Sequence, residues 1–330
     1  PAYCVYRFRP VAKPWYFHHL LRSPAYKARI KAMSTGVVDS RLRLYSDDLF
    51  RIEALLPPPE EQAAIVRFLD WANARLERTI RAKRGVIALL TEQKQAIIHR
   101  AVTRGLDSTV PLKPSGIAWL GDIPAHWEVL ALKRVLRRLI DCEHKTAPKI
   151  DDSEFRVVRT TAVRNGDLRM FGTYCTTPEA YRTWTRRGLP EVGDVVFTRE
   201  APAGEACLVP DGIKVCLGQR TVLMKPNRGR LNAQFLVDTI YAGPPRIAIT
   251  LATQGSTVGH FNMVDIGALT ILLPPKQEQD QIVESVREQT AGLVTAISRL
   301  DREIDLLREY RTRLVADVVT GKLDVREAVA

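Results

Sequence analysis

Apolar residues recur at alternating steps of three and four along two long stretches, which predicts two amphipathic helices with one seam each. The first seam runs through Leu69, Leu76, Ile80, Ile87, Leu90 and Ile97. The second runs through Val286, Leu293, Ile297, Leu300, Ile304, Leu307 and Leu314. Each follows a similar leader: 55–66 reads LLPPPEEQAAIV and 272–283 reads LLPPKQEQDQIV. Leu273 follows Leu56 by 217 residues, and that spacing holds without a gap to Leu106-Asp107 against Leu323-Asp324. Helices of about 45 residues run about 65 Å at 1.5 Å per residue, longer than a globular core needs, so each requires a partner of equal length. Two unrelated helices do not predict equal spacing behind equal leaders; a duplication does.

Polar residues interrupt the seams at Asn73, Lys83 and Lys94 in the first copy and at Thr290 and Arg311 in the second. Antiparallel packing about a local two-fold brings Asn73 near Arg311 and Lys94 near Thr290. Polar layers then meet polar layers and fix the register.

Outside the helices the pattern shortens. Residues 1–54 read as the tail of a globular domain, with a strand at 3–8, a helix at 14–34 and a loop around Gly36. The second copy has the same order: a strand at 221–225, a helical segment at 231–253 broken at Gly243-Pro244-Pro245, and a loop at 255–262. Gly255 follows Gly36 by 219 residues, so the repeat extends upstream of the helices. Residues 108 to about 219 have no counterpart at the start, and the first unit is expected to lack roughly 110 residues. A polar linker at 108–114 leads into SGIAWLGDIPAHWEVLALKRVL, where Trp119, Ile123, Trp127, Val129 and Leu132 supply an apolar anchor. Short β-rich runs at 155–160, 194–198, 206–209, 213–217 and 221–225 alternate with turns such as Asn165-Gly166 and Asp211-Gly212. They predict a small curved sheet with helices around it, hence an α+β fold.

Charge narrows the classes of partner. A net charge of +12 and a pI near 9.7 suit a polyanion, although ribosomal and membrane-surface proteins share them. The five cysteines, Cys4, Cys142, Cys175, Cys207 and Cys216, are scattered without zinc-ligand spacing and read as buried thiols in a reducing cytoplasm. No run of 18 apolar residues and no signal peptide is visible, so a soluble cytoplasmic protein is expected.

No catalytic or metal site is expected. The sequence has no phosphate-cradling loop, nucleophile elbow, zinc-protease helix motif or amino-methyltransferase tetrapeptide. Asp151, Asp152 and Glu154 read as a solvated turn, and His144 beside Cys142 as a chance neighbour. Basic and amide side chains instead gather at strand ends and turns: Lys145, Arg159, Arg164, Asn165, Arg199, Gln219 and Arg220, with Lys149, Arg169, Arg182, Arg186 and Arg187 around them. Such groups neutralise phosphate and, when bidentate, read base edges. Ser256, Thr257 and His260, with Asn262, form a second candidate loop.

The repeated LPPxxEQ-like leaders at 56–62 and 273–279, the IPxxW opening at 123–127, the GST sequence at 255–257 and the TGKLD ending at 320–324 give the chain a family resemblance. It resembles the DNA-specificity subunit of Type I restriction-modification systems. The resemblance implies two target-recognition domains separated by two long antiparallel coiled-coil helices in a pseudo-two-fold repeat. On that basis 1–56 is the remnant of a first, N-terminally truncated recognition domain, 57–107 the central spacer helix, 108–273 the second recognition domain and 274–330 the distal helix and tail. It further implies a non-catalytic subunit that reads half-sites of a bipartite double-stranded DNA target. Methyltransferase subunits using S-adenosylmethionine dock on its helices, and restriction-translocase subunits use ATP and Mg. The alternatives are the recognition part of a single-chain restriction-modification enzyme, or a coiled-coil scaffold that binds no DNA.

Overall fold

The computed structural model describes residues 5–36, 42–253 and 261–326. In chain order the helices are α1 (Pro14–Arg22), α2 (Pro24–Met33), α3 (Ser46–Phe50), α4 (Pro59–Arg104), α5 (Pro178–Trp184), α6 (Ala233–Ala242), α7 (Pro244–Thr253), α8 (Met263–Ala268) and α9 (Lys276–Val319). The strands are β1 (Leu112–Pro114), β2 (Asp122–Pro124), β3 (Glu128–Ala131), β4 (Leu136–Asp141), β5 (Phe155–Val158), β6 (Val163–Arg164), β7 (Asp167–Leu168), β8 (Tyr174–Cys175), β9 (Val195–Arg199), β10 (Ala203–Leu208), β11 (Lys214–Leu217), β12 (Thr221–Pro226) and β13 (Thr270–Leu273). The chain is α+β, with small, mostly antiparallel sheets and the long helices α4 and α9 packed together. Among the described residues no helix is long and apolar enough to cross a membrane.

Two compact units result, Pro1–Leu90 with Val294–Ala330, and Thr91–Leu293. The division runs through both long helices instead of falling at their ends. In the first unit, Ile65, Leu69 and Ala72 of α4 and Leu314, Val318 and Val319 of α9 enclose Tyr16 and Leu20 of α1 in one apolar cluster. Lys83 pairs with Glu303 and Arg311 with Glu77, so residue numbers fall on α9 as they rise on α4, and the helices run antiparallel here. In the second unit, Ile98, Ala101 and Val102 meet Ile282 and Val286 in a core that also holds Trp127, Phe197 and Phe235. No seam residue named above is exposed on either helix.

Three of the polar seam positions have partners outside the pairs expected across the seam. Arg311 is charged and takes the Glu77 carboxylate. Thr290 returns its hydroxyl to the Val286 carbonyl of its own helix at 2.7 Å. Lys94 acts electrostatically on Asp238 of α6. An ammonium or guanidinium in a partly dry seam gains more from a carboxylate than from an amide or hydroxyl.

The duplication is visible as repeated hydrogen bonds. Gln62 and Gln279 each occupy the first turn of a long helix and are fully buried. The Gln62 amide donates to the carbonyls of Pro57 at 2.7 Å and Val11 at 2.9 Å and accepts from the Lys13 N–H at 2.7 Å. The Gln279 amide donates to Pro274 and Arg230 and accepts from the Asn232 N–H, all at 2.8 Å. Lys13 and Asn232 are the N-cap residues of α1 and α6. One buried amide therefore ties the start of each long helix to the start of a shorter one, at the same relative positions in both copies.

Several local expectations are corrected. No strand is formed by the described part of 3–8, residues 5–8; the matching segment β12 lies between β9 and β4, whereas among the described residues no strand flanks 5–8. The helix expected over 14–34 is two helices, because Pro24 cannot donate and its ring displaces the preceding turn, leaving Ser23 extended at ψ 151°. In place of one curved sheet there is a four-stranded antiparallel sheet, β10-β9-β12-β4, and a three-stranded sheet, β11-β5-β8, in which β11 and β5 are parallel. Two-stranded ribbons β1-β2, β3-β13 and β6-β7 complete the unit. Ile123, Trp127 and Leu132 are buried as an anchor, but Trp119 and Val129 are exposed. Leu272 and Leu273 are buried on β13 against β3, while Leu55 and Leu56, without a paired strand among the described residues, are exposed.

Replacing Gln279 by alanine leaves an N–H and two carbonyls without their partner in a dry site, and is expected to cost about 2–4 kcal/mol. A matching fall in the urea midpoint checks this, and Gln62→Ala is expected to do the same to the first unit. A second expectation concerns pH. Burial raises the Asp238 carboxyl from 3.8 to about 6, against the opposing pull of the Gln234 amide and Lys94. The folded chain thus holds this proton more tightly than the unfolded one, so the contribution is full below about pH 4 and is lost as pH rises through about 6. Relative to the native chain, Asp238→Asn is expected to gain about 2–3 kcal/mol between pH 4 and pH 7 in denaturant titrations.

Candidate nucleic-acid interface

Strand register brings five strand ends of the second unit to one edge. In the antiparallel sheet Val222 pairs with Asp141 and Thr221 with Thr198, so β4 and β9 end where β12 begins. In the neighbouring sheet the parallel pair Leu217 and Val158 ends β11 and β5 together. The turn through Gly218, Gln219 and Arg220 joins β11 to β12 and thereby joins the two sheets at this edge. Gly218 is required there: a Cβ would lie 2.6 Å from the Val158 carbonyl oxygen. Phe261 also reaches this edge, donating its N–H to the Arg199 carbonyl at 3.0 Å.

Arg199 lies inside this edge, not on it. It is buried, its Nη1 donates to Asp141 Oδ2 at 3.3 Å, and its Nη2 lies 3.4 Å from His144 Nδ1. With Nδ1 accepting from the guanidinium, His144 Nε2 carries the proton and donates to Asp141 Oδ2 at 3.1 Å. The Cys142 N–H fills the other carboxylate oxygen at 2.9 Å. Arg199, Asp141 and His144 thus form a closed knot that ties the end of β9 to the end of β4 and its following loop. His144 is part of this knot, not a ligand partner of Cys142.

Around the knot the reactive faces are outward. Gln219 is exposed and donates its amide to the His144 carbonyl at 3.1 Å, leaving the amide oxygen open. Arg220 is exposed, with Nε 3.1 Å from Glu200 Oε2. Its φ of +68° is unusual for a side chain of this size. Lys145 and Lys149 are exposed on the loop after β4. Arg159 extends from the end of β5, donating Nε to the Gly172 carbonyl at 3.0 Å. Arg186 and Arg187 share Glu143.

The remaining candidates among the described residues have local partners of their own. Arg164 is half-buried and spends its guanidinium on the Thr160 and Val163 carbonyls. Asn165 sits at the β6–β7 turn with φ +54°, beside Glu205. Arg182 pairs with Glu179 on α5. Asn262 caps α8, accepting from the Asp265 N–H at 2.9 Å. Ser256, Thr257 and His260 lie outside the described residues. Asp141 and Glu200, which position the basic groups, carry no sequence signal because only the register brings them there.

The thiols and carboxylates add no reactive centre. Cys142, Cys175, Cys207 and Cys216 are free and buried, and burial pushes the Cys207 and Cys216 thiols up to about 12, far from a nucleophilic thiolate. Among the described residues no group of three or more His, Cys, Asp or Glu side chains gathers as a metal site. Glu154 is occupied by Lys214 at 2.9 Å.

The chain thus combines a long helix pair with duplicated starts and a β-rich unit whose strand ends present basic and amide groups. No protein-family model matches the chain. It is 23% identical over 319 residues to a chain of Methanocaldococcus jannaschii assigned as the specificity subunit of the type I restriction enzyme MjaX, covering 95% of this chain and 69% of that one. It is 23% identical over 320 residues to the EcoKI specificity subunit of Escherichia coli, covering 92% and 64%. The chain thus spans about two thirds of the length of these curated relatives. A solved chain from work on complex assembly and conformational transition of the type I R-M system superposes with a TM-score of 0.58 at 17% identity, over 94% of this chain and 72% of that chain. The chain is thus similar in sequence to specificity subunits of Type I restriction-modification systems and shares the fold of a chain from a solved type I R-M system.

Replacing Arg199 by methionine leaves Asp141 without its guanidinium and is expected to cost about 2 kcal/mol, lowering the melting midpoint by roughly 5 °C in calorimetry. Gln219→Ala, at an exposed position, is expected to stay within about 0.5 kcal/mol of the native chain.

Proposed function

We infer that the second unit reads one half of a bipartite double-stranded DNA site through the edge formed by Lys145, Arg159, Gln219 and Arg220. The observation that carries this reading is the Asp141–His144–Arg199 knot. It fixes the backbone of the very loops that hold the outward basic and amide groups, and recognition of base edges demands that kind of preorganisation. Lys145 and Arg159 neutralise phosphate; Gln219 and Arg220 have the bidentate geometry suited to adenine and guanine.

In this reading the helix pair serves as a ruler for the unread gap between half-sites. Modification subunits dock on α4 and α9, where Trp71, Leu89, Leu306 and Tyr310 stand exposed beside an already satisfied seam. S-adenosylmethionine belongs to those subunits, and ATP and Mg to the restriction subunits that join them.

Duplexes of random sequence retained by the full chain at moderate salt test the reading. The retained pool is expected to share one short sequence element, and the triple substitution Lys145→Ala, Arg159→Ala and Gln219→Ala to weaken binding by at least about tenfold while lowering the salt slope by about 2. A retained pool with no shared element, or a triple variant that binds like the native chain, would refute it.

A further inference from the structure

Phe171 is the most exposed large apolar side chain among the described residues, at 101% of its reference area. Its neighbour Met170 is exposed as well. Isolated surface hydrophobes are common. Phe171 projects from the short 3-10 turn Met170–Gly172, whose backbone is hydrogen-bonded on both flanks. The Arg169 N–H donates to the Ala162 carbonyl at 2.7 Å, the Gly172 N–H to Arg169 at 3.0 Å, and the Thr173 hydroxyl to Met170 at 2.8 Å. Arg159 Nε donates to the Gly172 carbonyl at 3.0 Å. Gly172 lies so close to Ala162 that a Cβ would come within 2.4 Å of its Cα.

The turn stands at the edge already described. Ala162 ends the short 3-10 segment Thr160–Ala162 that follows Arg159, and Arg159 continues β5 beyond Val158, whose carbonyl accepts from Gly218 N–H at 2.9 Å. The exposed Arg169 lies two residues before Phe171, and the exposed Arg159 meets the carbonyl of the next residue, Gly172, with its guanidinium 5.7 Å from the centroid of the Tyr174 ring. Among the described residues neither guanidinium forms an ion pair with a carboxylate. An outward phenyl on a hydrogen-bonded turn with two such charges close by along the backbone matches the chemistry of a nucleic-acid wedge, in which an aromatic ring meets base faces while cations hold the flanking phosphates.

We propose that Phe171 is a base-face contact of the recognition surface, its phenyl entering the duplex at one base step and partly unstacking it while Arg159 and Arg169 hold the phosphates on either side. The proposal rests on the DNA-recognition reading above and deepens it: specificity then includes the ease with which a step opens. Pyrimidine–purine steps open most readily, so the entry step is a TA or CA/TG step that no side chain reads by its edges.

The test uses the full chain and a duplex recovered from the random pool, with 2-aminopurine placed in turn at each adenine of the retained element. Binding is expected to raise emission at one step only. Phe171→Ala is expected to weaken affinity roughly tenfold with the salt slope unchanged, to abolish that emission rise and to relax the step preference in a fresh selection, whereas Phe171→Trp preserves all three. Arg169→Ala is expected to lower the salt slope by about 1. Since Phe171 is fully exposed, its substitution leaves the fold undisturbed, which an unchanged melting midpoint verifies. Affinity within twofold of native for Phe171→Ala, or flat emission along the whole element, overturns the proposal alone. Loss of a co-purifying modification subunit with DNA affinity intact also overturns it and makes Phe171 a protein contact. Failure of the unsubstituted chain to retain any sequence overturns the recognition reading together with it.

Discussion

A buried primary amide has two donor hydrogens and an acceptor oxygen to satisfy, and Gln62 and Gln279 each meet that demand with main-chain groups alone. Their partners are a proline carbonyl from the leader, a carbonyl just upstream of a short helix and the N–H of that helix's N-cap. The constraint explains why the leader is the best repeated part of the chain: a side chain of this length and composition, placed four residues into each long helix, is what binds two helix starts together. Asparagine is a methylene too short, and glutamate lacks the hydrogens. Because every partner is backbone, this link places no demand on the side chains that flank it; in the second copy Asn232 and Trp127 add side-chain hydrogen bonds to Asp280 and Glu278 of α9.

The same economy governs the edge where the five strand ends meet. Its carboxylates, Asp141, Glu143 and Glu200, each hold a basic side chain or a loop, so the net positive charge of the chain is arranged and not merely accumulated. Arg199 is the clearest case. A guanidinium at the end of a strand in a basic protein invites a phosphate, yet the fold spends it internally to join two strand ends. What remains outward is a smaller set, and its rigidity derives from the charges held behind it.

Much of this architecture was legible in the sequence because it depends on local periodicity. Both long helices, five of the β-rich runs and the Asn165-Gly166 turn follow from spacing and turn chemistry within a few residues. Expectations fail where a distant partner decides. The segment 5–8 carries a strand pattern but has no neighbouring strand among the described residues, whereas Leu272-Leu273 becomes a strand because β3 lies beside it. Trp119 and Val129 follow the same apolar pattern as Trp127 and Ile123, and only the tertiary packing separates exposed from buried. The break at Pro24 was readable and is matched by the break before Pro244 in the second copy. Which arginine faces outward was not readable, since the difference between Arg199 and Arg220 is one of strand register. Phe171 carried no signal at all, because a lone aromatic in a glycine-containing turn looks like core until the turn is seen to point away from it.

The left-handed backbone at Arg220 bears on how such a surface diversifies. Few residue types tolerate φ near +68°, and those that do with least strain are glycine, asparagine and aspartate. Of these, asparagine is suited to adenine and aspartate to cytosine, as arginine is to guanine. On the proposed reading, the conformation of one peptide unit therefore shrinks the vocabulary open to drift at this position to a few residue types, so new target preferences would arise more readily from its neighbours than from residue 220 itself.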